Sequence, residues 1–211
     1  MTGITGSRTT PPLAAARRAF YLAPHAGTPC EAVTAIEVHV TMKSGGALEL
    51  TYAVEGNPTR VRLPEPAVPR RVDGLWRHTC FEAFIAPERG TAIAADRTQA
   101  ATRPGGPYVE LNFSPSGEWA GYAFDSYRSG MCPLEDLPAP VITLDRDAAR
   151  GRWSVRAAVN AAGFAGVGAR PARLALAAVI EDAAGRLAYW ALKHPSGTPD
   201  FHHPSGFAAE L

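Results

Sequence analysis

Apolar side chains recur at every second position through much of the chain, the period of a pleated strand with one buried face. Ala35–Thr41 alternates through Ile36, Val38 and Val40, and Ala47–Glu55 through Leu48, Leu50 and Tyr52. Gly45 and Gly46 between them suit a hairpin, since glycine adopts the positive φ such turns require. Further strands are predicted over Thr79–Ile85, Tyr108–Ser114, Glu118–Asp125, Val141–Asp145, Trp153–Val159, Arg173–Glu181 and Leu187–His194. Phe207–Leu211 is placed to close a sheet edge. Asp182-Ala183-Ala184-Gly185 reads as a hairpin turn. Pro58–Pro69 reads as an edge strand or extended loop, because proline offers no ladder donor. A short Ala/Arg helix is expected within Leu13–Tyr21, ending before Pro24, and a helical turn within Ala161–Val167. Arg89–Pro107 is a long loop with at most a short strand at Ile93-Ala94-Ala95. These elements predict an all-β fold: a two-sheet antiparallel β-sandwich of about ten strands with minor helical turns.

Composition narrows the function classes. The 211 residues carry 21 basic and 20 acidic side chains, a balance with no broad field for nucleic acid or an anionic membrane. Lysine occurs only at Lys43 and Lys193, a coding bias toward arginine with no bearing on function. No stretch of about 20 apolar residues offers a membrane span. Residues 1–12 form a polar, Thr-rich tail without the apolar run of a signal peptide, so a cytoplasmic location is expected. Residues 13–211 are expected to form one domain, since a chain of this size buries roughly 70% of its unfolded surface and needs no staples. Cys30, Cys80 and Cys132 are odd in number and widely spaced, which argues against a disulfide framework or a CxxC site. Cys80, inside a strand pattern, reads as a buried thiol.

Polar exceptions inside the strands carry the chemistry. Trp76, Arg77 and His78 precede a strand bearing Glu82, and the next strand carries Glu110 and Asn112. A tryptophan face stacks on a ring, carboxylates accept from hydroxyls, and Asn, Arg and His donate. Together they suit a small polar ligand. Against this stands the plain reading, in which Glu82, Glu110 and Asn112 decorate the solvated face of an antiparallel sheet. His194, Asp200, His202 and His203 crowd ten residues but match no compact metal motif, and no metal site is assigned. Arg128, in Asp125-Ser126-Tyr127-Arg128, reads as a surface residue or a contact for an anionic ligand. There is no GxSxG elbow, P-loop or GxGxxG.

Three segments carry a family resemblance. Leu75-Trp76 followed by Phe81-Glu82-Ala83-Phe84-Ile85-Ala86-Pro87 is the first, and Tyr108-Val109-Glu110-Leu111-Asn112-Phe113-Ser114-Pro115 with Gly117 is the second. Pro199-Asp200-Phe201-His202-His203-Pro204 with Phe207-Ala208-Ala209-Glu210-Leu211 is the third. In this order they resemble the DOMON-like superfamily, which includes the family 9 carbohydrate-binding modules. The resemblance implies a sandwich of antiparallel sheets and a sugar held between two tryptophans, with Trp76 and Glu82 on matching positions. Trp190, in a late strand, is the candidate second ring. Thr79 stands where many relatives carry an acid, so a calcium site is not expected.

The resulting expectation is a non-catalytic, carbohydrate-binding module using Trp76, Arg77, His78, Glu82, Glu110, Asn112 and Trp190, without a cofactor. Some DOMON-like relatives are b-type cytochromes, so the alternative is a haem b domain with Met131 as one axial ligand and His78, Lys193 or His194 as the other. With no CxxCH, haem would not be covalently held. Further alternatives are a protein-interaction module, and a hydrolase with two carboxylates spaced across a cleft.

Overall fold

A computed structural model describes residues 17–43, 47–87, 106–160 and 172–210, and the statements that follow refer to these. They form twelve strands: β1 (Arg17–Pro24), β2 (Val33–Met42), β3 (Ala47–Gly56), β4 (Cys80–Pro87), β5 (Tyr108–Phe113), β6 (Trp119–Phe124), β7 (Cys132–Pro133), β8 (Val141–Asp147), β9 (Arg152–Asn160), β10 (Ala172–Glu181), β11 (Leu187–Ala191) and β12 (Ala209–Glu210). Their antiparallel order is β7-β6-β5-β4-β10-β11-β1-β2-β3-β9-β8, with β12 on β10.

The all-β expectation holds, but the pairing is continuous where two separate sheets were expected. The cause is β1. Its Arg17–Leu22 stretch pairs with β2, and then Ala23 and Pro24 pair with Ala191 and Trp190 of β11. One curled antiparallel sheet results, a half-barrel whose two halves face each other. Tyr52 of β3 lies 4.9 Å from the Phe81 ring of β4, and Trp153 of β9 lies 5.6 Å from the same ring. The Tyr52 hydroxyl also donates to the Glu82 carbonyl at 2.8 Å, satisfying a buried group while tying the halves together.

The helix expected within Leu13–Tyr21 is instead strand from Arg17 onward. Ala and Arg are strong helix formers, but over so short a run propensity is easily overridden, and pairing on both flanks of β1 outweighs it. Residues 58–71 are mostly extended, with one 3-10 turn at Pro58–Arg60 and single bridges at Val61 and Arg71. The Asp182–Arg186 turn forms as expected, with Gly185 at φ 82°. Gly45-Gly46, Ile93-Ala94-Ala95 and Ala161–Val167 lie outside the described residues.

The halves differ in how they meet water. Strands β2, β3 and β9 alternate buried and part-exposed residues, because only one face is covered. Strands β4 and β5 are buried at almost every position. One face carries Phe81, Ala83, Leu111 and Phe113 into the main core between the halves. The opposite face carries Phe84, Tyr108, Tyr122 and Phe124 into a second apolar cluster, roofed by Val72, Leu75, Phe201 and Phe207. A polar side chain on that second face is largely shielded from bulk water. Glu82, Glu110 and Asn112 stand there.

Candidate functional site

Register puts the polar set together. Glu82 of β4 pairs with Asn112 of β5, and Phe84 pairs with Glu110, so the two glutamates are diagonal neighbours on one face. Val179 and Tyr189 extend that face across β10 and β11. All three polar side chains are buried, Glu82 at 3% exposure and Asn112 at 0%. The solvated-face reading is therefore overturned, because loops roof this side of the sheet. Above the glutamates lies a cavity of about 470 Å³, within the range of small-ligand pockets.

Three segments wall the cavity. The first holds Trp76 in the 3-10 turn Leu75–Arg77. Leu75 points inward and anchors the turn, while Trp76 stays 36% exposed and lines the cavity. Its ring sits edge-on to Tyr122 at 5.9 Å. Asp73, just before the turn, accepts from the Tyr122 hydroxyl at 2.6 Å, which ties the wall to β6.

Residues 125–131 form the second wall and supply Arg128 and Met131. Residues 199–202 form the third, supplying Pro199, Phe201 and His202. A clamp joins these two: Arg128 donates to Asp200 Oδ1 from Nη2 at 2.7 Å and from Nε at 3.2 Å. The Tyr127 hydroxyl donates to Asp200 Oδ2. The Tyr108 hydroxyl accepts the Arg128 backbone N–H at 3.3 Å and lies 2.8 Å from His202 Nδ1.

The electrostatics of the floor are unusual. Burial, then the neighbouring Glu110 charge, pushes the Glu82 carboxyl well above the carboxylate range. Burial also raises Glu110, to about 7, although Asn112 donates to its Oε1 at 2.8 Å and Arg128 pulls the other way. Glu82 Oε1 is buried without a partner. His202, enclosed by Phe84, Phe124 and Tyr108, is held down to about 4 by burial. Its 3.8 Å approach to Glu110 is therefore not an ion pair at neutral pH, because the imidazole is uncharged.

The sequence-predicted residues divide. Trp76, Glu82 and Glu110 line the cavity, and Asn112 lies behind them, holding Glu110. Arg77 and His78 do not line it; His78 Nδ1 lies 2.7 Å from Glu181 Oε2. Trp190 pairs with Ala178 in the main core on the opposite face, so it is not the second ring. Thr79 donates to the Arg62 carbonyl at 2.7 Å and accepts the Glu181 N–H at 3.1 Å, leaving it a purely structural place.

The haem candidates are not gathered either. Met131 lines the cavity, but His78, Lys193 and His194 do not, and His194 Nε2 lies 2.9 Å from the Ala23 carbonyl. His203 accepts from Ser205 N–H at 3.2 Å and caps a turn. Among the described residues no group of three His, Cys, Asp or Glu side chains converges as a metal site. Tyr122, Tyr189, Phe201 and His202 were missed as site residues. For Tyr189 the sequence signal is partial: it neighbours Trp190 and so takes the opposite face of the sheet, but alternation alone does not say which face holds the cavity.

No family model matches the chain, and no curated protein matches it. Among solved structures it is similar to a family 9 carbohydrate-binding module from Caldicellulosiruptor kristjanssonii in complex with cellotriose. That likeness has a TM-score of 0.48 and 10% identity over 77% of this chain and 67% of the module. A family 9 module from the same organism in complex with glucose gives a TM-score of 0.45 and 13% identity, over 83% and 74%. Both scores lie below 0.5, so the functional reading rests on the pocket's own chemistry.

Proposed function

We propose that this chain is a binding module for a small polyhydroxylated ligand, a sugar or sugar derivative, seated over Glu82 and Glu110 and against Trp76. One observation carries the reading: a carboxyl 97% buried, with an unpartnered oxygen, faces a cavity beside a half-open tryptophan. Burying a polar atom without a partner costs about 1–3 kcal/mol, and a ligand hydroxyl offsets that cost. Trp76 supplies the apolar platform that a sugar ring's C–H face packs against. We read the fold as a DOMON-like sandwich variant, with the two halves of the curled sheet serving as its layers.

The two acids favour a second reading as well. Burial raises both Glu82 and Glu110, and a protonated acid beside an ionisable one is the pairing that glycoside hydrolysis uses. Binding remains the preferred account, because both glutamates rise from one floor, so a sugar lies over them rather than between them.

A thermal-shift and calorimetric screen of mono- and disaccharides on the whole chain tests the proposal. Binding that disappears in Glu82→Gln and in Trp76→Ala is the expected result. Release of nitrophenol from nitrophenyl glycosides, lost in Glu82→Gln, would put hydrolysis in its place. A stable protein that binds no sugar would sink both.

A further inference from the structure

We infer that the natural occupant of this pocket carries a protonated amine, as an amino sugar or aminated polyol does, and that the ammonium seats on Glu82 and Glu110 among the aromatic walls. The inference rests on the sugar-binding reading and specifies its ligand class.

The charges around the cavity point this way. Its acids are Glu82 and Glu110, and its only fixed cation among the described lining residues is Arg128. Arg128 is already matched by Asp200 at 2.7 Å. His202 is neutral because it is buried among rings. Two carboxyls therefore face one small volume with no uncommitted positive group opposite them, and Glu82 keeps an unpartnered oxygen.

A neutral sugar can hydrogen-bond this floor, but it brings no positive charge to pair with an ionised carboxyl. An ammonium group supplies three donors and the missing charge. The walls suit the same ligand: Trp76, Tyr122, Tyr189 and Phe201 bring rings to the cavity, and aromatic faces attract cations. A hard metal ion suits the site less well, since calcium asks for six to eight oxygens and this cavity offers two carboxyls among rings.

Proton balance follows directly. The ammonium arrives charged, a carboxyl proton leaves to solvent, and the resulting carboxylate pairs with the ammonium. Affinity for the amine then tracks the ionised fraction of the floor. With Glu110 titrating at about 7, that fraction rises from about a tenth to about nine tenths between pH 6 and pH 8. The other titratable or charged groups packed around the pair are Tyr52 on β3, Cys80 on β4, Tyr108 on β5, Tyr122 on β6, Tyr189 on β11, Asp73 and Arg71 in the Trp76 wall, Tyr127 and Arg128 in the second wall, and Asp200 and His202 in the third. Burial keeps Cys80, Tyr108 and Tyr122 protonated through this range, so the glutamates govern it.

Calorimetry on the full chain compares methyl 6-amino-6-deoxy-glucoside with methyl glucoside, and D-glucosamine with D-glucose, at pH 6 and pH 8. We expect at least one amine to bind about tenfold more tightly than its parent at pH 8. For the methyl 6-amino-6-deoxy-glucoside pair the preference should shrink several-fold at pH 6, with a proton released on binding. Glu82→Gln should erase the preference, and Glu110→Gln serves the same purpose if the first variant does not fold. Parents that bind as well as both amines overturn this inference and leave the sugar reading standing. Failure of all four probes and of the wider sugar screen overturns both.

Discussion

Asn112 donates from Nδ2 to Glu110 Oε1 at 2.8 Å, two residues back on the same face of β5. The strand period of two makes the bond possible, and the Asn112 carbonyl in turn lies 3.8 Å from the Cys80 thiol. Asn112 thus steadies the ionised form of Glu110, while Glu82, directly across the ladder from Asn112, keeps an oxygen unpartnered. Asn112→Ala should raise the Glu110 titration above about 7 and cost about 1–3 kcal/mol of stability, since it leaves a buried acceptor unpaired. Carboxyl NMR through a pH series reads the first effect and urea unfolding the second. An unchanged Glu110 titration would contradict this account.

Stability against pH carries two opposed slopes. Glu110 moves from 4.5 to about 7 in the folded state, so across that window the folded chain holds a proton that the unfolded chain has lost. Its contribution is present below 4.5 and disappears as pH rises through about 7, a change of about 3 kcal/mol. His202 moves the other way, from 6.5 to about 4. There the unfolded chain holds the extra proton, so stability rises by roughly 3 kcal/mol as pH climbs through the window. The slopes offset where the windows overlap. Glu82, raised in the same direction as Glu110, adds to its slope, so the double variant Glu82→Gln/Glu110→Gln should unmask a rise between pH 4 and 6.5, and His202→Phe a fall from pH 4.5 to 7. Urea midpoints across pH decide this, and parallel curves for the two variants would be the wrong answer.

How much of this was legible in the sequence depends on the face. Strands β2 and β3 were readable because water meets one side of each, and alternation follows. Glu82, Glu110 and Asn112 stood out as polar breaks in otherwise apolar strands, and they do share a site. What the pattern lacked was that β4 and β5 are covered twice, which turns those three residues from surface into floor. Trp190 shows the same limit. One residue along β11, Tyr189 faces the cavity while Trp190 faces the main core, and sequence alone does not say which side is which. Arg128, Phe201 and His202 come from segments over seventy residues apart that meet only through the closed fold. The Ala/Arg run near β1 read as helix because propensity is local, whereas the pairing that overrides it is not.

The two tryptophans give a direct contrast. Trp190 is 3% exposed and packed in the main core, so Trp190→Ala should cost about 3–5 kcal/mol. Trp76 is 36% exposed, and its ring meets Tyr122 edge-on at 5.9 Å. Trp76→Ala should cost less than about 1 kcal/mol while removing most sugar affinity. Thermal unfolding of both variants, with calorimetry on Trp76→Ala, makes the comparison. A large loss of stability at Trp76 would move it from ligand platform to core.

The Arg128–Asp200 clamp holds two cavity walls in register. Besides Arg128 and Tyr127, Asp200 accepts the His202 backbone N–H at 3.1 Å, so one carboxylate fixes the approach of Phe201 and His202. Arg128 sits at a left-handed φ of 52°, a backbone position that side chains other than glycine rarely take. The fork that grips Asp200 helps keep it there. Asp200→Ala should speed amide exchange through residues 199–204 and weaken ligand binding, with a stability loss of about 1–3 kcal/mol. Arg128→Lys should restore little, because an ammonium cannot reproduce the two-pronged contact. Hydrogen bonds from Tyr127 and then Arg128 hold the Asp200 carboxyl below its ordinary 3.8 despite burial. Its share of stability is therefore present above that value and is lost as pH falls below it. Hydrogen exchange of the two variants against the parent protein is the check, and equal protection over 199–204 in Asp200→Ala would show that the apolar packing of Phe201 and His202, not the clamp, holds the wall.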